Sequence, residues 1–279
     1  MKTKLFLLCV ILVISSLALA QETQDKQYVV NAVSVYGQVP VIDGVAGSGE
    51  WSDAASPGCT GFVQHGNPTV AAVEDPEVKV IFDHQYLYLL FQVTNVNFSL
   101  DFDPSTTTND PEQDGRDPSG TGFAGDDFEF FFFPNGPDSA SDQTFYHTVF
   151  FPYETNGICY VWDEAGTSRG YPGAASWDAT DEEVAFSYES GSSLLTIEYK
   201  IAWTDFNVEG GVMETYPADG TEWGIQIGYI NNNPSEAVNW EPDGTGGFLN
   251  GEPYGKWTFT GTPDMPEALE ADMVWSLYE

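Results

Sequence analysis

The segment EVKVIFDHQYLYLLFQVT, residues 77–94, limits the fold more than any other part of the chain. Val78, Val80 and Phe82 alternate with Glu77, Lys79 and Ile81, which is the period of a strand. His84-Gln85 then reads as a tight turn, although it lacks the glycine such turns usually carry. Residues 86–94 are apolar on both faces, so they predict a central strand covered on both sides. Further strand patterns fall at 126–133, 144–151, 158–162, 184–189, 194–203, 223–231 and 254–260, between loops rich in Gly, Pro and Asp. Only the stretch from Trp203 to Phe206 suggests a helical turn. Many short strands without long amphipathic helices predict an all-β fold, a single antiparallel β-sandwich. Residues 37–261 are assigned to it, 21–36 to a polar lead-in and 262–279 to an acidic tail.

Residues 1–20 have the plan of a secretory signal: Lys2 and Lys4, the apolar run LFLLCVILVI, and small residues at Ala18 and Ala20. The run is well short of the roughly 20 residues a membrane span needs. Cys9 lies inside it, which is not the position of a lipidated cysteine. The expected location is therefore secreted, periplasmic or extracellular. Formal net charge is −35, and Lys26, Lys79, Arg116, Arg169, Lys200 and Lys256 are the only cations beyond the signal. That excludes electrostatically driven binding to nucleic acid or anionic lipid, both of which require clustered Lys and Arg. Aromatic residues make up 15% of the chain, unlike a disordered acidic sequence. Cys59 and Cys159 are an even pair in an oxidising compartment, so a disulfide between them is one expectation and two separate thiols the other. His65, His84 and His147 are too scattered for a local zinc motif.

GDDFEFFFFP, residues 125–134, sets one carboxylate within an aromatic strand. Alternation puts Phe128, Phe130 and Phe132 on one face and Glu129, Phe131 and Phe133 on the other. A carboxylate in such surroundings requires solvent or a dedicated hydrogen-bond partner.

IDG followed by GEWSDA, then VKVIFDHQYLYLLFQV, GDDFEFFFFP, LLTIEYKIAW, WGIQIGYINNN and FLNGEPYGKWTF resemble, in that order, the family 9 carbohydrate-binding modules over roughly residues 39–260. The resemblance implies a DOMON-like β-sandwich that binds the ends of sugar chains, typically of xylan or cellulose, and carries structural calcium. It implies two aromatic walls, placed here at Phe123 and Phe248, where the family has tryptophans. Glu129 matches a glutamate that hydrogen-bonds sugar hydroxyls. His147 or Tyr146 falls near a basic ligand contact, and Gln226 or Gly228 near an amide contact. Trp240 is expected to be a core support. Polysaccharide or oligosaccharide is the implied partner, with glycoside hydrolases acting on the same glycan. The residues suit such a site, since sugars present an apolar face to flat aromatics and a rim of hydroxyls to polar groups.

The loop NDPEQDGRD, residues 109–117, offers Asp110, Glu112, Asp114 and Asp117 around a glycine turn. Closely spaced oxygens of that kind suit Ca²⁺, although the loop is not an EF-hand. GTSRG, residues 166–170, has the spacing of an esterase nucleophile, but Pro172 and Gly173 break the helix that must follow. No enzymatic activity is expected, although 43 acidic residues offer many carboxylate pairs of the glycosidase type. Two other classes compete with sugar binding. One is a haem-binding DOMON-like protein, for which Met213 is the candidate axial ligand. The other is a structural or interaction module of an extracellular complex.

Overall fold

The computed structural model describes residues 26–34, 37–65, 67–95, 98, 127–136, 144–152, 159–167, 179–208, 211–232, 235–240 and 255–263. Its strands are β1 (Gln27–Ala32), β2 (Val63–Gln64), β3 (Asn67–Ala71), β4 (Glu77–Phe82), β5 (Tyr86–Thr94), β6 (Asp127–Phe133), β7 (Thr144–Pro152) and β8 (Cys159–Thr167). They continue with β9 (Glu182–Glu189), β10 (Leu194–Ala202), β11 (Asn207–Val208), β12 (Gly211–Val212), β13 (Glu222–Asn232), β14 (Ser235–Asn239) and β15 (Gly255–Thr260). A 3-10 turn at Trp203–Asp205 is the helical element that the sequence suggests. Among the described residues the architecture is otherwise all β.

One hydrogen-bonded network of 13 strands forms both layers of a sandwich. β13 joins them: along one edge it pairs first with β15 and then with β14, and along the other it pairs with β6. The first layer runs β9-β10-β5-β4-β1-β15, and the second runs β8-β7-β6-β13-β14-β2-β3. Inward-facing side chains of the two layers make the main core. Phe91 of β5 meets Phe128 of β6 with ring centroids 4.1 Å apart, and Phe150 of β7 meets Tyr199 of β10 at 4.5 Å. Burying each of these large side chains contributes about 1.5–3 kcal/mol relative to exposure. Trp240 is buried in this core, as the sequence reading expects.

The β4–β5 hairpin shows how a turn forms without glycine. Asp83 Oδ1 accepts the backbone N–H groups of Gln85 at 2.7 Å and Tyr86 at 2.8 Å, so its side chain supplies the turn bonds. β5 lies between β4 and β10 and is buried on both faces, as predicted.

Three expectations need correction. Residues 27–32 are not a lead-in but β1, which lies between β15 and β4 and runs parallel to both. Tyr28 and Val30 point into the core and Gln27 and Val29 outward, so the strand forms by alternation that its polar neighbours conceal. The sandwich is for the same reason mixed rather than wholly antiparallel. Cys59 is a buried free thiol, so the bridge to Cys159 is absent. Its backbone makes an isolated bridge with Val78 of β4, whereas Cys159 opens β8 at an edge of the other layer, paired with Pro152. Burial pushes the Cys59 thiol pKa upward, which keeps it protonated.

The outer face of the first layer is closed by the segment around IDGVAGSGEW. Trp51 packs there with Val33, Ile81, Tyr88 and Leu90. Glu198 of β10 anchors the segment: Oε2 accepts the N–H groups of Gly44 at 3.0 Å and Asp43 at 3.2 Å, and Oε1 accepts Trp51 Nε1–H at 3.1 Å. Gly44, at φ +82°, lies so close to β9 that a Cβ would come within 2.6 Å of the Phe186 backbone. Both the backbone angle and the close approach require glycine there.

Candidate functional site

The outer face of the second layer holds the sequence candidates that lie within the described residues. Register sets two adjacent rows across it. One row carries Val149 of β7, Glu129 of β6, Gly228 of β13 and Asn239 of β14. The next carries His147 of β7, Phe131 of β6 and Gln226 of β13. Tyr146 points the opposite way, into the core beside Phe206, so His147 and not Tyr146 shares a face with Glu129. Of the second pair of alternatives, Gln226 and Gly228 both stand on this face.

β6 is buried on both sides. Phe128, Phe130 and Phe132 enter the main core, while Phe131 and Phe133 join Phe145 in a smaller outer cluster. Glu129 and His147 are each 1% exposed. His147 Nε2 and Glu129 Oε2 are 3.2 Å apart, and the imidazole lies nearly flat on the Phe131 ring, with centroids 3.7 Å apart and planes 11° apart. The ring is thereby fixed in plane and its Nε2 is aimed at the carboxylate. Glu129 Oε1, also buried, has no hydrogen-bond partner.

Asn239 was not singled out by the sequence. Its Oδ1 bonds His65 Nδ1 at 3.0 Å, and its buried Nδ2 has no hydrogen-bond partner. Glu129 and Asn239 flank Gly228, which contributes no side chain to the space between them. Two strand spacings separate their backbones, about 10 Å. An acceptor and a donor thus stand on one face on either side of Gly228, each buried and each with hydrogen-bonding capacity unused. Leaving such groups unmade costs about 1–3 kcal/mol each, so an arrangement that holds two of them is prepared for something else.

Met213, the haem candidate, is buried in the main core. No group of three or more His, Cys, Asp or Glu suited to a metal occurs among the described residues. Phe123, Phe248 and the proposed calcium ligands Asp110, Glu112, Asp114 and Asp117 lie outside the described residues. No described helix is long and apolar enough to cross a membrane.

No family model and no curated protein matches the chain. Solved structures do. A family 9 carbohydrate-binding module of Caldicellulosiruptor kristjanssonii in complex with cellotriose is 17% identical, covering 86% of this chain and 98% of that one with a TM-score of 0.48. A family 9 module of the same organism in complex with glucose is 15% identical, covering 87% and 100% with a TM-score of 0.47. A proposed carbohydrate-binding protein of Bacteroides uniformis is 13% identical, covering 85% and 100% with a TM-score of 0.53. The last of these matches shows a shared fold.

Proposed function

We propose that the protein is a secreted, non-catalytic carbohydrate-binding protein whose ligand sits over Gly228 on the outer face of the second layer. The observation that carries this reading is the pairing of a free Glu129 Oε1 with a free Asn239 Nδ2 across that glycine. Sugar hydroxyls donate and accept at once, so neighbouring hydroxyls of one ring suit an acceptor and a donor facing each other. A carboxylate is the stronger acceptor for such a hydroxyl because its bond is charge-assisted.

On this reading Phe123 and Phe248 are the stacking walls, and Gln226 contributes a further amide. Calcium at Asp110, Glu112, Asp114 and Asp117 has a structural role. Polysaccharide or oligosaccharide ends of the xylan or cellulose kind are the ligand, and glycoside hydrolases acting on them are the functional partners. The test is isothermal titration with cellotriose and xylotriose, with and without Ca²⁺, of wild type and Glu129→Gln. Saturable binding that Glu129→Gln weakens by about 10- to 100-fold supports the reading. Binding that Glu129→Gln leaves unchanged, or silence toward every glycan from folded protein, overturns it.

A further inference from the structure

We propose that His147 does not contact the ligand but positions Glu129 for it, so that ligand affinity follows the protonation of the His147 imidazole. The inference rests on the carbohydrate reading of this face. Three observations lead to it. His147 Nε2 points at Glu129 Oε2 at 3.2 Å, leaving Oε1 as the oxygen turned to other uses. Phe131 lies flat against the imidazole at 3.7 Å and fixes the ring's plane. Both members of the pair are 1% exposed, so a protonated imidazole would be the carboxylate's buried counter-charge.

The charged residues that strand register places beside the pair are acidic. Asp127 is on β6, two residues before Glu129 and on the same face, and Glu164 of β8 stands opposite His147 in register. Gln226 and Asn239, on β13 and β14, are neutral, and His65 bonds Asn239. A carboxylate in contact with a histidine favours the charged imidazole, and Glu129 is that carboxylate here. When the imidazole loses its proton, an uncompensated anion is left in a buried place. Drawing in water or rotating away relieves that state, and in either case Oε1 is no longer held toward the gap over Gly228. Affinity therefore falls along a single limb as pH rises through the titration of His147.

The test uses the full mature chain and two readouts. Imidazole titrations are followed by NMR in wild type and Glu129→Gln, and cellotriose and xylotriose affinities are measured against pH in wild type and His147→Gln. Glutamine keeps an N–H donor for Oε2 but does not titrate. Wild-type affinity is expected to fall about tenfold by one pH unit above the imidazole's midpoint, and His147→Gln, which lacks the counter-charge, to bind at that weaker level at every pH, without the limb. In Glu129→Gln the imidazole midpoint is expected to drop by about one pH unit or more. A wild-type profile flat through the His147 midpoint, or a His147→Gln profile that keeps the limb, overturns the proposal. If His147→Gln does not fold, coincidence of the wild-type binding limb with the NMR midpoint decides the matter. Binding of neither glycan at any pH means that the carbohydrate reading has failed and His147 positions nothing for it, even if the NMR midpoint still depends on Glu129.

Discussion

Glu198 and Glu129 make a natural experiment within one molecule. Each is a buried glutamate on a central strand, each on the outer face of its own layer. Glu198 receives three donors from the segment packed over it, two backbone amides and the Trp51 indole. Glu129 has one partner, His147, and an oxygen to spare. The first arrangement is what a chain builds when a carboxylate holds the structure together. The second keeps hydrogen-bonding capacity in reserve, beside a glycine and a second unsatisfied group.

Four substitutions or titrations would break or sharpen that contrast. The largest effect is expected from Glu198→Ala, which leaves three buried donors without an acceptor and should lower stability by about 3 kcal/mol or more in urea unfolding. Any glycan affinity of the folded fraction should be unchanged. Glu129→Ala should show the reverse: a stability loss of about 1–2 kcal/mol by the same measurement, with cellotriose binding lost in calorimetry. Equal destabilisation by the two variants would erase the distinction. A smaller effect is expected from Gly228→Ala, whose methyl group enters the gap between Glu129 and Asn239. Binding should weaken by about tenfold with little change in melting temperature, and an unaltered affinity would place the ligand elsewhere.

The smallest effect concerns pH. Burial raises the Glu198 pKa, against the lowering effect of its hydrogen bonds to Trp51, Asp43 and Gly44. An acid whose folded pKa exceeds its unfolded one binds more protons when folded, so its contribution is full below the unfolded pKa and declines as pH rises through the folded pKa. Wild type should therefore lose stability across that interval relative to Glu198→Gln, whose own lower stability should lack this slope. Parallel unfolding curves for the two proteins from acid to neutral pH would refute it.

Much of this arrangement could be read in the sequence where hydrophobic alternation is strong. The β4–β5 hairpin, the two faces of β6 and the central place of β5 follow from side-chain period alone. β1 and β14 did not, because each is short and rich in polar residues, and each owes its place to partners distant in sequence or to a neighbouring long strand. Glu129, His147 and Gln226 emerged from ordered motifs, and register brings them together on one face. Asn239 escaped because SEAVN has no alternation to mark it as a strand, and its importance depends on Gly228 beside it. A lone glutamate amid phenylalanines signalled an unusual site. Only the three-dimensional bonding distinguishes it from Glu198, which LLTIEYKIAW surrounds with apolar residues in much the same way.

β1 and β15 run side by side in the same direction, with Gln27 opposite Lys256 and Asn31 opposite Thr260. The chain therefore enters this pair of strands at one end of the sandwich and leaves it at the other. Anything linked before β1 is separated from anything linked after β15 by a strand's length, about 15–20 Å. A tether on one side and a cargo on the other would be held apart by the domain itself, so the sandwich can act as a rigid spacer.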